Sequence, residues 1–314
     1  MIKLQRLILE SKPVKTLTNW SRHIILPGFE GVPLYDVIAF SFDQSREIRL
    51  NERAASISFN FLLAIPPLFI FIFTLLSYLP GSRRLYAEVL ILIDSIIPDA
   101  YTFNMIKKVT DDFFEAGTGT LSFGLILAIY FSSNATLTIM RTFRKSMLHI
   151  QVEDRNFIQI RWSAIRLTFI IVFLVLATIL IMLTQTIVLN WIFANFKLNG
   201  EYVDFIFGVA HFMVTFFLIF FSIGLIYRYA PHVQRKWKIR SPGTILSTIL
   251  IMSFTYLFSY WVNNIASYNK VYGSLGSILI LMFLVFVNSL VLLIGFELNV
   301  SIKSLQSKAV HRKI

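Results

Sequence analysis

The sequence contains no cysteine. Disulfide bonds, thiolate metal sites and cysteine nucleophiles are therefore excluded by composition alone. The five histidines do not form a metal-ligating pair at helical spacing, and the H-E-x-x-H motif is absent. Nucleotide-binding glycine loops and the G-x-S-x-G motif are also missing. We therefore predict no enzyme, no metal and no cofactor, although acids from separate loops could still converge in a membrane-bound hydrolase.

Charged residues are scarce as well. They make up 15% of the 314 residues, whereas a soluble domain carries about a quarter. Hydrophobic residues account for 56%, and the mean hydropathy is +0.70. Such a composition, with long apolar runs, is typical of an integral membrane protein.

Six runs are long and apolar enough to cross a bilayer, which takes about 20 residues in a helix. Lipid offers the backbone no partners outside a helix or a closed barrel, and the alternation of barrel strands is missing. We predict an all-α fold, a polytopic membrane bundle of six transmembrane helices. The predicted spans are 56–79, 121–140, 163–189, 205–229, 243–262 and 274–297.

Three shorter segments have apolar residues at three- and four-residue spacing, the pattern of amphipathic helices. LYDVIAFSFDQSRE lies in the N-terminal arm, and RRLYAEVLILIDSIIP and AYTFNMIKKVTDDFFEAG lie in the first external loop. We divide the chain into a cytoplasmic arm at 1–52, a six-helix transmembrane domain at 53–300 and a basic cytoplasmic tail at 301–314.

Lysine and arginine are distributed unequally between the two sides of the predicted bundle. The two termini and the second and fourth connections, with Arg166 just inside the third span, carry 23 of them, and the opposite side carries six. Basic residues mark the cytoplasmic face, so both termini are predicted to lie in the cytoplasm. The net charge of +12 mostly reflects this asymmetry, and no nucleic-acid partner is predicted.

Each predicted span carries one face of polar or small residues. Helix packing could explain any single face, because small and polar residues let membrane helices approach and hydrogen-bond. Six such faces together favour a hydrated interior cavity. The candidates for a substrate path are Asn60, Asn134, Arg141, Gln185, His211, Asn263 and Asn288.

Glu297 is the acid that closes the last span. It follows Ser274 by about 23 residues, or roughly 35 Å of helix, which predicts a position at the cytoplasmic edge of the hydrocarbon. One interpretation is an interface ion pair with Arg53 or Arg141. The other is a gate or proton-sensitive group, since ionisable residues in spans are functional candidates.

Three further stretches of the sequence are distinctive: ERAASISFNFLLAIPPLFIF, IYRYAPHVQRKWKIRSPGTILST and NKVYGSLGSILILMFLVFVNSLVLLIGFELN. Together they resemble the YihY/BrkB family of bacterial inner-membrane proteins, the virulence factor BrkB-like proteins formerly misnamed ribonuclease BN. The last is the most specific, with YGSLG before an apolar span and G-x-E-L-N after it. The resemblance implies six spans with cytoplasmic termini in the bacterial inner (plasma) membrane. It implies no catalytic residues.

The resemblance and the polar faces together favour a transporter or flippase of an amphipathic substrate such as a lipid. Membrane lipids are the predicted partners, and Arg53 and Arg141 suit a phosphate headgroup. A non-transporting scaffold for envelope assembly is the alternative. A membrane-bound hydrolase is more remote, because no metal-ligand cluster supports phosphodiester cleavage. The oligomeric state remains open.

Overall fold

The structure, a computed structural model, is built from α-helices. It describes residues 24–47, 49–78, 100–115, 118–147, 155–174, 200–231, 236–264 and 274–311, with isolated positions at 19, 21, 22, 82, 83, 86, 87, 89, 90 and 233. The helices are α1 (Leu34–Glu47), α2 (Leu50–Ser77), α3 (Ala100–Phe114), α4 (Thr118–Ser146), α5 (Phe157–Leu174), α6 (Gly200–Tyr229), α7 (Pro242–Asn264) and α8 (Ser274–His311).

Five of these helices, α4 to α8, contain segments long and apolar enough to cross a membrane. Helix α2 contains residues 56–77 of the predicted first span, 56–79, and its 28 residues extend about 42 Å, more than the roughly 30 Å of hydrocarbon. The all-α membrane bundle is therefore confirmed. The part of the predicted third span at 175–189 lies outside the described residues, and the division into arm, bundle and tail stays a prediction.

Two of the three predicted amphipathic segments are present as α1 and α3, and most of the other, at 83–98, lies outside the described residues. In α1, Val37 is buried and packs in a cluster with Phe29 of the arm and Ile302 of α8. On another side of α1, Ile38 and Phe42 are 54% and 59% exposed. An amphipathic helix with exposed apolar residues suits the interface between bilayer and water.

Tyr86 fixes α3 against α2. Its hydroxyl donates to Asp111 of α3 at 2.6 Å, and its ring stacks on Phe114 with centroids 4.4 Å apart. The same ring meets Phe73 of α2 edge-on at 6.3 Å. Burial raises the pKa of Tyr86 to about 12, so the hydroxyl stays protonated and remains a donor.

The hydrophobic core joins α4, α6 and α8. The rings of Phe143 and Phe296 stack with centroids 3.7 Å apart, and the fully buried Tyr227 lies beside both. Trp237, in the connection after α6, meets Phe296 edge-on at 5.4 Å. Aromatic pairs of this kind bury a large apolar area in defined geometries, and they hold α8 in register with its neighbours.

Helices α7 and α8 approach each other unusually closely at Gly243 and Gly295. A Cβ on Gly243 would overlap the Gly295 carbonyl oxygen, and a Cβ on Gly295 would overlap Ser247 Oγ. Beside this contact, the Tyr227 hydroxyl of α6 donates to the Leu292 carbonyl of α8 at 2.6 Å. Small residues permit this approach in membrane helices, and hydrogen bonds then secure it.

Candidate functional site

Two asparagines that were predicted to line a substrate path form hydrogen bonds within one helix or between two helices. Asn60 donates from Nδ2 to the carbonyl of Ser56 at 2.9 Å, one turn earlier in α2. Asn134 of α4 accepts a hydrogen bond from the guanidinium of Arg161 in α5. That guanidinium also lies over the ring of Tyr130, 4.7 Å from its centroid. Asn134 therefore ties α4 to α5, which is the packing role that any single polar face could have.

The other path candidates are placed differently. The side-chain oxygen of Asn288 is buried, and it has no hydrogen-bond partner among the described residues. Arg141 is exposed. Gln185 lies outside the described residues, as do the side chains of His211 and Asn263. In the part of the chain that the structure describes, no hydrogen bond joins two of these candidates, and the shared cavity stays a prediction.

Glu297 is fully buried in α8, with 0% of its surface exposed. Neither carboxylate oxygen has a hydrogen-bond partner among the described residues. Arg53 of α2 is the cation that attracts this carboxylate. Yet the ion pair found among the described side chains is Arg49–Glu52, at 3.2 Å, and Glu297 has no direct contact of that kind. The Glu297 carboxylate is therefore buried, and the positive charge of Arg53 balances its negative charge without a direct contact.

Ser146, the last residue of α4, connects the groups around this carboxylate. Its hydroxyl accepts a hydrogen bond from Arg53 at 3.0 Å, and its carbonyl accepts one from Gln44 Nε2 at 3.1 Å. The hydroxyl is also near enough to interact with Glu297, but it donates to the Thr142 carbonyl at 3.5 Å. Helices α1, α2, α4 and α8 thus contribute polar groups to one place.

Two serines extend the same polar face of α8. Ser301 and Ser304 follow Glu297 by four and seven residues, so they lie on one side of the helix. Both are buried, and neither hydroxyl has a partner among the described residues. We call the set formed by Gln44, Arg53, Ser146, Glu297, Ser301 and Ser304 the polar junction.

Asn299, two residues after Glu297 in α8, is also buried, but both polar atoms of its side chain form hydrogen bonds. Its Oδ1 accepts from the Gly243 backbone N–H at 2.9 Å, and its Nδ2 donates to Ser241 Oγ at 2.9 Å. Every such bond joins α8 to the start of α7. In the G-x-E-L-N motif, the glycine and asparagine thus fasten two helices together, whereas the glutamate has no structural partner of this kind.

A groove of about 810 Å³ lies between α1, the start of α2, α7 and α8. Its walls are mostly apolar, and its rim is polar. The wall residues are Ile38, Phe42, Leu50, Leu246, Leu290, Ile294 and Leu298, and the rim residues are Ser41, Arg49, Asn51 and Glu52. A concave apolar site of this size with a few polar groups is typical of small-molecule binding.

None of the predicted path residues lines this groove. The amphipathic pattern of LYDVIAFSFDQSRE predicted only a helix, but it is the one signal that could have pointed to the groove, because Ile38 and Phe42 lie on the apolar side that does not face the core. The pattern could not show that α7 and α8 supply the other walls. Among the described residues, no group of three or more His, Asp or Glu side chains could hold a metal ion.

Comparison with known proteins gives a match over most of the chain. A family model described as Virulence factor BrkB matches residues 41–313. The chain is 29% identical over 250 residues to the ribonuclease-like protein YfkH of Bacillus subtilis strain 168, covering 79% of this chain and 88% of that protein. It is 24% identical over 263 residues to a UPF0761 membrane protein of Tolumonas auensis, covering 81% of each.

A UPF0761 membrane protein of Coxiella burnetii is 23% identical over 265 residues, which cover 82% of this chain and 90% of the relative. No solved structure gives a significant match.

Proposed function

We propose that this chain, which belongs to the virulence factor BrkB family of multi-pass membrane proteins, binds an amphipathic lipid-like molecule and moves it across the bilayer. The groove between α1, α7 and α8 is the observation that supports this proposal. The word ribonuclease occurs in the name of one relative, and the proposal does not rest on it.

The groove matches an amphipathic ligand in its distribution of polarity. Leu246, Leu290 and Ile294 come from membrane-spanning helices and would lie against an acyl chain. At the rim, Arg49 is largely exposed although it is paired with Glu52. A guanidinium binds phosphate bidentately, so Arg49 is suited to the headgroup of a phospholipid.

Helix α1 gives such a molecule a way in from the bilayer. Ile38 and Phe42 line the groove and are also more than half exposed, so they belong to a surface that suits the membrane interface. The tail would enter between α1 and α8 while the headgroup stays at the rim. From there the headgroup would follow the polar interior, along the predicted candidates Asn60, Asn134, Arg141, Gln185, His211, Asn263 and Asn288.

Filling the groove is expected to reduce lipid movement. We expect Leu246→Trp to slow scrambling of a fluorescent phospholipid in vesicles by about tenfold, because the indole occupies the space of the acyl chain. Ile249→Trp is the matched control, since Ile249 is on the same helix, is half exposed and does not line the groove. The rate is measured as loss of fluorescence after a membrane-impermeant quencher is added.

The same vesicles separate transport from the scaffold alternative. Vesicles with the unmodified protein must scramble lipid faster than empty vesicles under at least one ion gradient. If they do not, although a photoreactive lipid still labels the groove, the chain binds lipid without moving it. If neither scrambling nor labelling occurs, the groove is not a lipid site.

The orientation of the chain can be tested because no native cysteine interferes. We expect Asp112→Cys in α3 to react with a membrane-impermeant maleimide on intact cells, because the first long loop is predicted to face outward. Ser307→Cys near the end of α8 should react only after the membrane is permeabilised. Both positions are exposed, so a reversed pattern would mean that the charge distribution predicts the wrong orientation.

A further inference from the structure

We propose that the polar junction is a binding site for a small monovalent metal cation of the Na⁺ class. The carboxylate of Glu297 would be the charged ligand, with Gln44 Oε1 and the Ser301 hydroxyl as neutral ligands. This inference goes beyond lipid binding, and it depends on groups that do not line the groove.

The main observation is a concentration of buried oxygen atoms without partners. Both oxygens of Glu297, Oε1 of Gln44 and the hydroxyls of Ser301 and Ser304 have no hydrogen-bond partner among the described residues. More than nine-tenths of buried polar groups in proteins are hydrogen-bonded, and a buried polar atom without a hydrogen-bond partner is unfavourable. Four of these atoms lie near one another, because Gln44 and Glu297 both adjoin Ser146 and Ser301 follows Glu297 by one helical turn. These four oxygen atoms call for a missing ligand, whereas Ser304 lies about 10 Å farther along α8.

The chemistry of these atoms favours a cation. Gln44 Nε2 donates to the Ser146 carbonyl, which can only accept, so the orientation of the amide is fixed and Oε1 is the atom left over. The carboxylate oxygens likewise accept only. Hydroxyl oxygens can serve as ligands too, and a set made entirely of oxygen is the one that hard cations prefer.

The charges favour a monovalent ion. Glu297 supplies one negative charge, and Arg53 supplies a positive charge nearby. Arg53 directs its hydrogen bonds to Ser146 and the Thr142 carbonyl, and it leaves the carboxylate oxygens without a donor. The guanidinium would weaken binding of any cation, and that of a divalent ion most, so we expect an affinity in the millimolar range.

The site is suited to energise transport, although its test does not require transport. Leu298, the residue after Glu297, lines the groove. A cation bound at Glu297 would therefore act one residue from the proposed lipid site. The two proposals fail separately, because cation binding is read from stability and lipid movement from vesicles.

The experiment follows thermal unfolding of the purified full chain in nanodiscs, with NaCl replaced stepwise by choline chloride at constant ionic strength. We expect the Tm to rise by about 2 °C when Na⁺ reaches ten times its Kd. Intrinsic fluorescence is a suitable readout, because Trp237 packs on Phe296, the residue before Glu297.

Variants assign the effect to the site. Glu297→Gln should abolish the Na⁺ response, whereas Glu52→Gln, which removes a largely exposed carboxylate, should leave it unchanged. Ser301→Ala is a milder change that keeps the charge, and it should raise the Na⁺ concentration needed by about tenfold. It therefore keeps the proposal testable even if Glu297→Gln does not fold.

Three results would overturn the proposal. The first is a Tm that responds to neither Na⁺, Li⁺ nor K⁺. The second is a Na⁺ response that persists unchanged in both Glu297→Gln and Ser301→Ala. The third is a Tm that depends on pH through Glu297 but not on any metal ion, since the carboxylate would then be neutralised by a proton.

Discussion

Alanine at Gly243 is expected to separate α7 from α8 and to remove most of the folded protein. The new Cβ would overlap the carbonyl oxygen of Gly295 and lie 2.7 Å from the side chain of Asn299. A backbone atom cannot move aside as a flexible side chain can. The shift would also strain the hydrogen bond from the Gly243 N–H to Asn299 Oδ1. We expect a loss of about 3 kcal/mol or more in the free energy of unfolding.

Gly295→Ala should have a similar effect, because its Cβ would overlap Ser247 Oγ and lie 2.7 Å from the Tyr227 hydroxyl oxygen. Gly208→Ala is the matched control. Gly208 lies inside α6 with no atom within 4 Å of an added Cβ, so alanine should be neutral or slightly stabilising there.

The measurement for all three variants is the yield of monodisperse protein after detergent extraction, followed by the unfolding midpoint in SDS. If Gly243→Ala and Gly208→Ala give the same yield and the same unfolding midpoint, α7 and α8 do not approach each other as closely as the structure shows.

Much of the fold could be predicted because the bilayer restricts the choices. A chain that must satisfy its backbone in lipid forms helices, so hydropathy and length were enough to locate α4, α6, α7 and α8. The spacing of apolar residues likewise predicted α1 and α3. The ends of the helices were less predictable, since α8 continues to His311, far past the predicted span end, to reach the cluster that holds α1.

The candidate sites were harder to predict, because each is assembled from distant segments. The walls of the groove come from four elements, and only the part in α1 had a recognisable pattern. Asn134 was predicted to line a path, yet its partner Arg161 is 27 residues later on another helix. The position of Glu297 was predicted from its distance along one helix. Its complete burial depends on α1, α2 and α4 meeting there.

Methionine at Arg53 is expected to destabilise the protein by about 2–4 kcal/mol. Removing one member of a buried charge pair costs about 3–5 kcal/mol, because the remaining charge is uncompensated. We expect a smaller loss for Arg53→Met than for a fully buried pair, because Arg53 is only partly buried and does not contact the Glu297 carboxylate directly. Arg49→Met is the control, because the exposed pair of Arg49 and Glu52 should contribute less than about 1 kcal/mol.

The double variant Arg53→Met/Glu297→Gln separates the charge of Arg53 from its hydrogen bonds. If the charge matters most, the double variant should regain most of the lost stability in SDS unfolding, because no buried carboxylate remains to be balanced. If both variants are equally unstable, Arg53 acts through its bonds to Ser146 and Thr142 instead. Sodium gives a further distinction: a cation bound at Glu297 should stabilise Arg53→Met more than the unmodified protein, because the competing guanidinium is gone.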